Sequence, residues 1–282
     1  MMMRPRLILM NANLARAIVL TPILLMCSCG GGGGSAGSIG SVRARRNHSP
    51  GSANQSSNWS GYGIAGAPGG FTSVQGTWVV PAIAPSSKDT ASSTWAGVGG
   101  GCANPPSCTV VDQTLIQAGT EADNSGGKPT YSAWWEAIPG PSVTLMGGPL
   151  SPTSYDVRPG DSVTVTISSN LVVWTIEIQN VRSGAMHWTF STMVPYASAG
   201  LTAEWIEEAP LTAGSSGAGQ IPLSNFTRVE FDQLLANGAN PNLMPADAIV
   251  LVNGNGKVIA QPSAPGSSGD SFAVCFGSGP CM

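Results

Sequence analysis

From Trp59 onward, short runs rich in Val, Ile, Thr, Trp and Tyr alternate with clusters of Gly, Pro, Ser and Asn. Branched and aromatic side chains suit a pleated, half-buried surface, and the clusters between them supply turns. The pattern predicts strands over Thr72–Val80, Ser92–Val98, Thr109–Thr120, Thr130–Ile138, Asp161–Ser168 and Leu171–Gln179. It continues with Ala185–Ser191, Leu201–Glu207, Thr227–Phe231, Ala248–Val252 and Lys257–Gln261. A helical period surfaces only weakly, over Asp232–Asn237, and no internal repeat is evident. So many strands with so little helix predict an all-β chain, a sandwich of two antiparallel sheets.

The two-residue period of a strand sorts side chains by face. In the run beginning at Thr109, Gln113, Leu115, Gln117, Gly119 and Glu121 share one side, and Thr114, Ile116, Ala118 and Thr120 the other. Trp134 and Glu136 share a side with Thr130 and Ser132. Leu201, Ala203 and Trp205 form an apolar side opposed by Thr202, Glu204 and Ile206. Several strands thus carry Gln, Glu and Trp away from the core. That mixture marks a concave groove, for peptide or for sugar.

Composition narrows the setting. Only 10% of the 282 residues are charged, against roughly 25% in ordinary soluble domains. Six of the twelve basic residues (Arg4, Arg6, Arg16, Arg43, Arg45, Arg46) precede residue 54, and no Asp or Glu does. The remainder carries six basic against fifteen acidic groups, a net of −9. An acidic, lysine-poor body sheds charge as the medium turns acid. No basic patch exists to bind nucleic acid.

The three early arginines lead into the apolar run Ala17–Met26, too short to span a bilayer but suited to a signal peptide over residues 1–28. Cys27 and Cys29 then precede a glycine run, which leaves a lipid anchor at either cysteine, or simple cleavage, as alternatives. Residues 29–57 are expected to be a disordered linker or pro-segment, with the folded domain over 58–282. The body's four cysteines stand as Cys102 with Cys108 and Cys275 with Cys281. An even count in an exported chain favours disulfides, and local pairing is the simplest of three connectivities. His187 is the body's single histidine, so neither a metal site nor a serine hydrolase triad is expected, and the body has no Gly-x-Ser-x-Gly elbow.

A series of short motifs then runs in order. Asn58-Trp59-Ser60-Gly61 is followed by Phe71-Thr72-Ser73-Val74, Gly76-Thr77-Trp78 and Val80-Pro81. Next come Trp95-Ala96-Gly97-Val98-Gly99-Gly100, Leu115-Ile116-Gln117-Ala118-Gly119 and Tyr131-Ser132-Ala133-Trp134-Trp135-Glu136. Pro159-Gly160-Asp161, Thr202-Ala203-Glu204-Trp205-Ile206-Glu207-Glu208 and Leu223-Ser224-Asn225-Phe226 close it. This series, over roughly residues 56–276, resembles the glutamic peptidases, or eqolisins. The resemblance implies a concanavalin-like β-sandwich with its site on a concave sheet face, acid-active cleavage of protein or peptide substrates, a monomer and no cofactor. It places the catalytic pair on Gln117 and Glu204, and groove-lining roles on Trp95, Trp134, Glu121 and Glu136. Two departures stand out: Gly99 and Glu121 occupy positions where the family commonly has Asp.

Under that resemblance Glu204, as an anion, takes a proton from water and returns it to the leaving amine. The Gln117 amide orients the water and donates to the oxyanion. The competing readings are a carbohydrate-active enzyme or sugar-binding module on a similar sandwich, with Glu136 and Glu204 as paired carboxylates, and an inactive surface protein.

Overall fold

The computed structural model describes residues 43–44, 50–52, 55–146, 154–170, 172–212 and 220–282. The expected signal peptide, with Cys27 and Cys29, lies outside them, as does most of the expected linker. Eighteen strands follow one another: β1 Arg43–Ala44, β2 Pro50–Ser52, β3 Gln55–Ser56, β4 Trp59–Ala65, β5 Ser73–Val79 and β6 Thr90–Gly99. Then come β7 Leu115–Ser125, β8 Lys128–Ile138, β9 Val143–Thr144, β10 Ser162–Asn170, β11 Val173–Arg182 and β12 Ala185–Pro195. The last are β13 Thr202–Glu208, β14 Leu211–Thr212, β15 Val229–Ala236, β16 Ala248–Val252, β17 Val258–Pro262 and β18 Phe272–Phe276.

They form the expected sandwich. One sheet runs β12-β11-β10-β5-β15-β18-β17-β16, the other β4-β13-β6-β7-β8-β9. Strand β16 joins both, pairing with β4 at Ala248 and Ile249 and with β17 at Leu251 and Val252. Inward residues of the first sheet (Trp78, Val163, Val165, Ile167, Ile176, Ile178) meet Ala96, Val98, Ile116, Ala118 and Trp205 of the second in one core. Each sheet also ties itself to the other through an indole. Trp78 Nε1 donates to Thr120 Oγ1 at 3.0 Å, and Trp205 Nε1 donates to the Gln75 carbonyl at 2.7 Å. A side chain at Gly76 would press against the Trp205 ring, so glycine there gives the indole its place.

The weak helical signal at Asp232–Asn237 is the second half of strand β15, with Asn237 in the turn that follows. The register of β15 on β5 shifts between Asp232 and Leu235, and Gln233 takes a left-handed φ of 54°. Buried residues therefore fall at Val229, Phe231, Leu234 and Ala236. The bulge turns one two-residue step into three, which imitates a helical period. The run from Thr109 also differs: β7 begins at Leu115, and residues 100–114 form a loop. Within the expected linker, Gln55–Ser56 pairs in parallel with β16.

All four described cysteines are consumed in disulfides, Cys102–Cys108 and Cys275–Cys281. This corrects the expected partners: no described cysteine offers a thiol to a lipid, and the anchor is withdrawn. Two disulfides suit an exported protein working in an oxidising, extracellular setting.

Candidate active site

The two sheets differ in how their strands are buried. In the first, β5 and β10 alternate between buried and half-buried positions. In the second, every residue of β6 and β13 is buried. The outward face of the second sheet is therefore covered, and the predicted site residues lie on it.

Register places them in rows. Glu204 of β13 stands opposite Gly63 of β4 and Gly97 of β6. Gly97 stands opposite Gln117 of β7, and Gln117 opposite Glu136 of β8. Glu204 and Gln117 thus share a face across one intervening strand, two spacings or roughly 10 Å apart at Cα. Gly97 is required between them. A methyl group there would sit 3.1 Å from Gln117 Cβ and 3.0 Å from Trp95 Cζ3.

A second row holds Ile206, Trp95, Gly119 and Trp134. Trp95 and Trp134 are packed with Trp59, Leu115, Ile206 and Ile249 in a buried cluster rather than lining open solvent. The Trp95 and Trp59 rings meet edge to face at 4.9 Å, and Trp95 Nε1 donates to Glu208 Oε2 at 2.9 Å. Glu121 lies in a further row, opposite Ser93 and Ser132. Four strand residues separate it from Gln117, roughly 13 Å. The structure therefore gathers Glu204, Gln117 and Glu136 in one row, puts Trp95 and Trp134 in the next, and leaves Glu121 apart.

Hydrogen bonding singles out the pair. Gln117 Nε2 donates to Glu136 Oε2 at 3.0 Å, which fixes the amide plane, while Gln117 Oε1 has no partner. Neither Glu204 oxygen makes a hydrogen bond of good geometry, although the residue is wholly buried and the Thr202 hydroxyl and the Gly101 N–H lie near enough to act on it. Burial pushes the Glu204 pKa well above its ordinary value. The Thr202 hydroxyl draws it back, the charge of Asp112 raises it further, and the Gly101 amide lowers it slightly. The net direction is upward, so at acid pH the carboxyl keeps its proton.

The loop after β6 roofs Glu204. Gly101 donates to Thr202 Oγ1 at 3.1 Å, and a side chain on Gly101 would collide with Glu204 Oε1. Beneath the roof a cavity of about 20 Å³ is lined by Gly101, Cys102, Pro105, Thr202, Glu204 and Asp247, among others. One water molecule needs about that space. The larger cavities, near Arg228 and Ile221, lie away from the row. No group of three or more His, Cys, Asp or Glu side chains among the described residues could hold a metal ion.

The departure at Gly99 has a physical reason. Gly99 takes φ 94°, and a Cβ there would collide with the Thr114 carbonyl and approach Asp112 Oδ2 to 3.3 Å. The carboxylate of Asp112 occupies the space toward which a residue 99 side chain would point. Asp112 escaped the sequence reading because it fell inside a predicted strand.

These features meet an independent comparison. A family model described as the Peptidase A4 family matches residues 57–273. The chain belongs to the Peptidase A4 family. It is a glutamic-type endopeptidase. Among solved structures, scytalido-glutamic peptidase with a transition-state analogue inhibitor superposes with a TM-score of 0.60 at 21% identity, covering 78% of this chain and 98% of that one. SCP-B, an eqolisin in complex with the tripeptide Ala-Ile-His, gives 0.58 at 19% identity with the same coverage. At such identities these two likenesses bear on the fold. No curated protein matches the chain.

Proposed function

We propose that this family member cleaves peptide bonds with Glu204 and Gln117, Glu204 beginning the cycle as a neutral acid. The supporting observation is the row itself: two polar side chains flank a glycine on a buried face, and three of their four polar atoms make no well-formed hydrogen bond. Buried polar atoms are seldom left unsatisfied, and active sites are where the exceptions gather. The substrate's amide, its carbonyl oxygen and a water would supply the missing bonds.

Burial revises the order of proton transfers expected from sequence. A protonated Glu204 with neither oxygen held in a well-formed hydrogen bond can act at two points together. One oxygen gives its proton to the carbonyl oxygen of the scissile bond as the other takes a proton from the attacking water. The carboxyl ends that step neutral, as it began. In the second step it protonates the leaving nitrogen and recovers a proton from the tetrahedral intermediate's hydroxyl. Gln117, held by Glu136, turns its remaining N–H toward the oxygen that gains negative charge. Activity on this scheme requires the proton on Glu204 and is lost as pH rises through its raised pKa. That accounts for acid activity.

The carbohydrate reading has less support. Glu136 Oε2 is taken up by the Gln117 amide, and Gln117 rather than a second carboxyl stands next in the row toward Glu204. The test is hydrolysis of denatured protein between about pH 2 and pH 7 by wild type, Glu204→Gln and Gln117→Ala. Wild type should be most active in acid. Removing the carboxyl should abolish turnover, and removing the amide should cost about 10²–10³-fold. Either variant keeping more than about a tenth of wild-type kcat/KM would refute the pair.

A further inference from the structure

Asp112 is buried at 1% exposure in the loop between β6 and β7 and bonds in three directions. Its backbone N–H donates to the Gly101 carbonyl at 2.9 Å, which secures the roof. Its Oδ2 accepts the N–H of Leu201 at 2.9 Å, just ahead of the strand that carries Thr202 and Glu204. Its Oδ1 accepts the Thr114 N–H at 2.9 Å and the Thr114 hydroxyl at 2.6 Å, at the entry to the strand that carries Gln117. The same hydroxyl accepts the Ala199 N–H at 2.9 Å, closing the ring on the segment before β13.

We infer that Asp112 is a positioning residue for Glu204, its carboxylate joining the start of β13 to the entry of β7 while its N–H holds the roof, and its charge standing beside the carboxyl of Glu204. The inference rests on the reading of Glu204 given above. Three chain segments must hold register for Glu204 and Gln117 to face one peptide bond, and Asp112 touches all three. Its charge acts on Glu204 in the same sense as burial, keeping the carboxyl neutral. The other charged groups facing Glu204 are Asp247, across the cavity and itself bonded to the Met244 N–H, and Glu136, beyond Gln117. No cation lines that cavity.

The experiment compares full-length wild type, Asp112→Asn, Asp112→Glu and Glu204→Gln in kcat, KM and pH profile on one peptide substrate. Asp112→Asn removes the charge at constant shape. It should lower kcat by about tenfold with KM within about twofold, and move the high-pH limb of kcat/KM down by about one pH unit. Asp112→Glu keeps the charge on a longer arm, so it should lower kcat while the limb stays in place. A purely structural residue would change melting temperature without moving the limb. If Asp112→Asn folds and its limb coincides with wild type, the inference is overturned. If that variant does not fold, Asp112→Glu decides: a limb in the wild-type place supports the inference and a downward shift sinks it. Glu204→Gln separates the two readings. An active Glu204→Gln enzyme brings down the catalytic assignment, whereas an inactive one beside an unmoved Asp112→Asn profile brings down only the role of Asp112.

Discussion

At the turn end of the first sheet, Asp156 and Asp161 surround Arg182; on the second sheet, Glu204 and Glu207 lie where no cation reaches them. Arg182 Nε and Nη2 grip both oxygens of Asp161 at 2.7 Å, and Nη1 reaches Asp156 at 2.9 Å. Asn180 and the Arg158 N–H add to Asp161. Burial pushes Asp161 up, but Arg182, Asn180 and Arg158 together hold it below its ordinary value. Asp156 is lowered first by the hydrogen bond from His187, partial burial opposing and Arg182 assisting. Glu207 shows the reverse. It points into the sandwich interior opposite Ser60 and Thr94, and accepts a bond of 2.6 Å from Thr94. Burial raises it to about 7 against the pull of the Thr94 and Ser92 hydroxyls. Burial raises the carboxyls in both regions; the hydrogen bonds and charge that Arg182, His187 and Asn180 bring to the first decide the sign.

The largest stability effect should come from removing that guanidinium. Asp161 is 2% exposed and Arg182 21%, so Arg182→Met strands a buried carboxylate without its cation. Breaking such a pair costs on the order of 3 kcal/mol. Chemical denaturation near pH 5 should show it, and the deficit should shrink toward pH 2, where Asp161 can take up a proton. A deficit below about 1 kcal/mol at pH 5 would place the cluster among surface ion pairs of little weight.

The two regions also predict opposite pH dependences. Glu207 ionises near 4.5 when unfolded and near 7 when folded, so between those values the folded chain keeps a proton that the unfolded chain has lost. Its contribution is fully present below about pH 4.5 and is lost as pH rises to about 7. Asp156 and Asp161, with folded values below the ordinary 3.8, contribute fully above 3.8 and lose that contribution as pH falls through their folded values. The two trends leave a stability maximum near pH 4, within the range where Glu204 holds its proton. Glu207→Gln should remove on the order of 3 kcal/mol of the decline between pH 4.5 and 7, leaving the part due to Glu204. Melting temperatures across that range check it. A Glu207→Gln profile parallel to wild type would mean that Glu207 does not set the neutral limit.

Much of this was legible in the sequence because strands declare their faces. Alternation put Gln117 and Glu204 on the outward side, and the register agrees with it. Strands β4 and β18 were not among the predicted runs: Trp59–Ala65 carries two glycines, and Phe272–Phe276 is a brief run close to the chain's end. Alternation describes two faces but cannot report a cover. Nothing in Trp95 or Trp134 distinguishes a groove wall from a buried cluster, and nothing near Glu204 announces Gly101 above it. That cover raises the pKa of Glu204, on which the proposed order of proton transfers rests. Asp112 was missed for a related reason, since the loop that folds back over its own sheet reads as the start of the strand from Thr109.

The smallest predicted effect distinguishes two disulfides of equal span. Cys102–Cys108 and Cys275–Cys281 each join residues six apart. Loop-closure entropy assigns each about 2 kcal/mol, so replacing either pair with alanines should lower stability by similar amounts. Their positions differ in kind. Cys102 lines the cavity at Glu204 and follows Gly101 in the roof, whereas Cys275 stands in β18, in the sheet that lacks the row of Glu204 and Gln117. Freeing the first loop lets the roof and the hydrogen bond from Gly101 to Thr202 fluctuate, and small misplacements of a catalytic group are costly. Cys102→Ala with Cys108→Ala should therefore lose about tenfold in kcat/KM at a temperature where both double variants stay folded, while the Cys275 and Cys281 double variant retains wild-type activity. Equal activity in the two would show that Asp112 and Thr202 hold the roof unaided. Equal losses would mean that the first sheet, and not the roof alone, governs the geometry of Glu204.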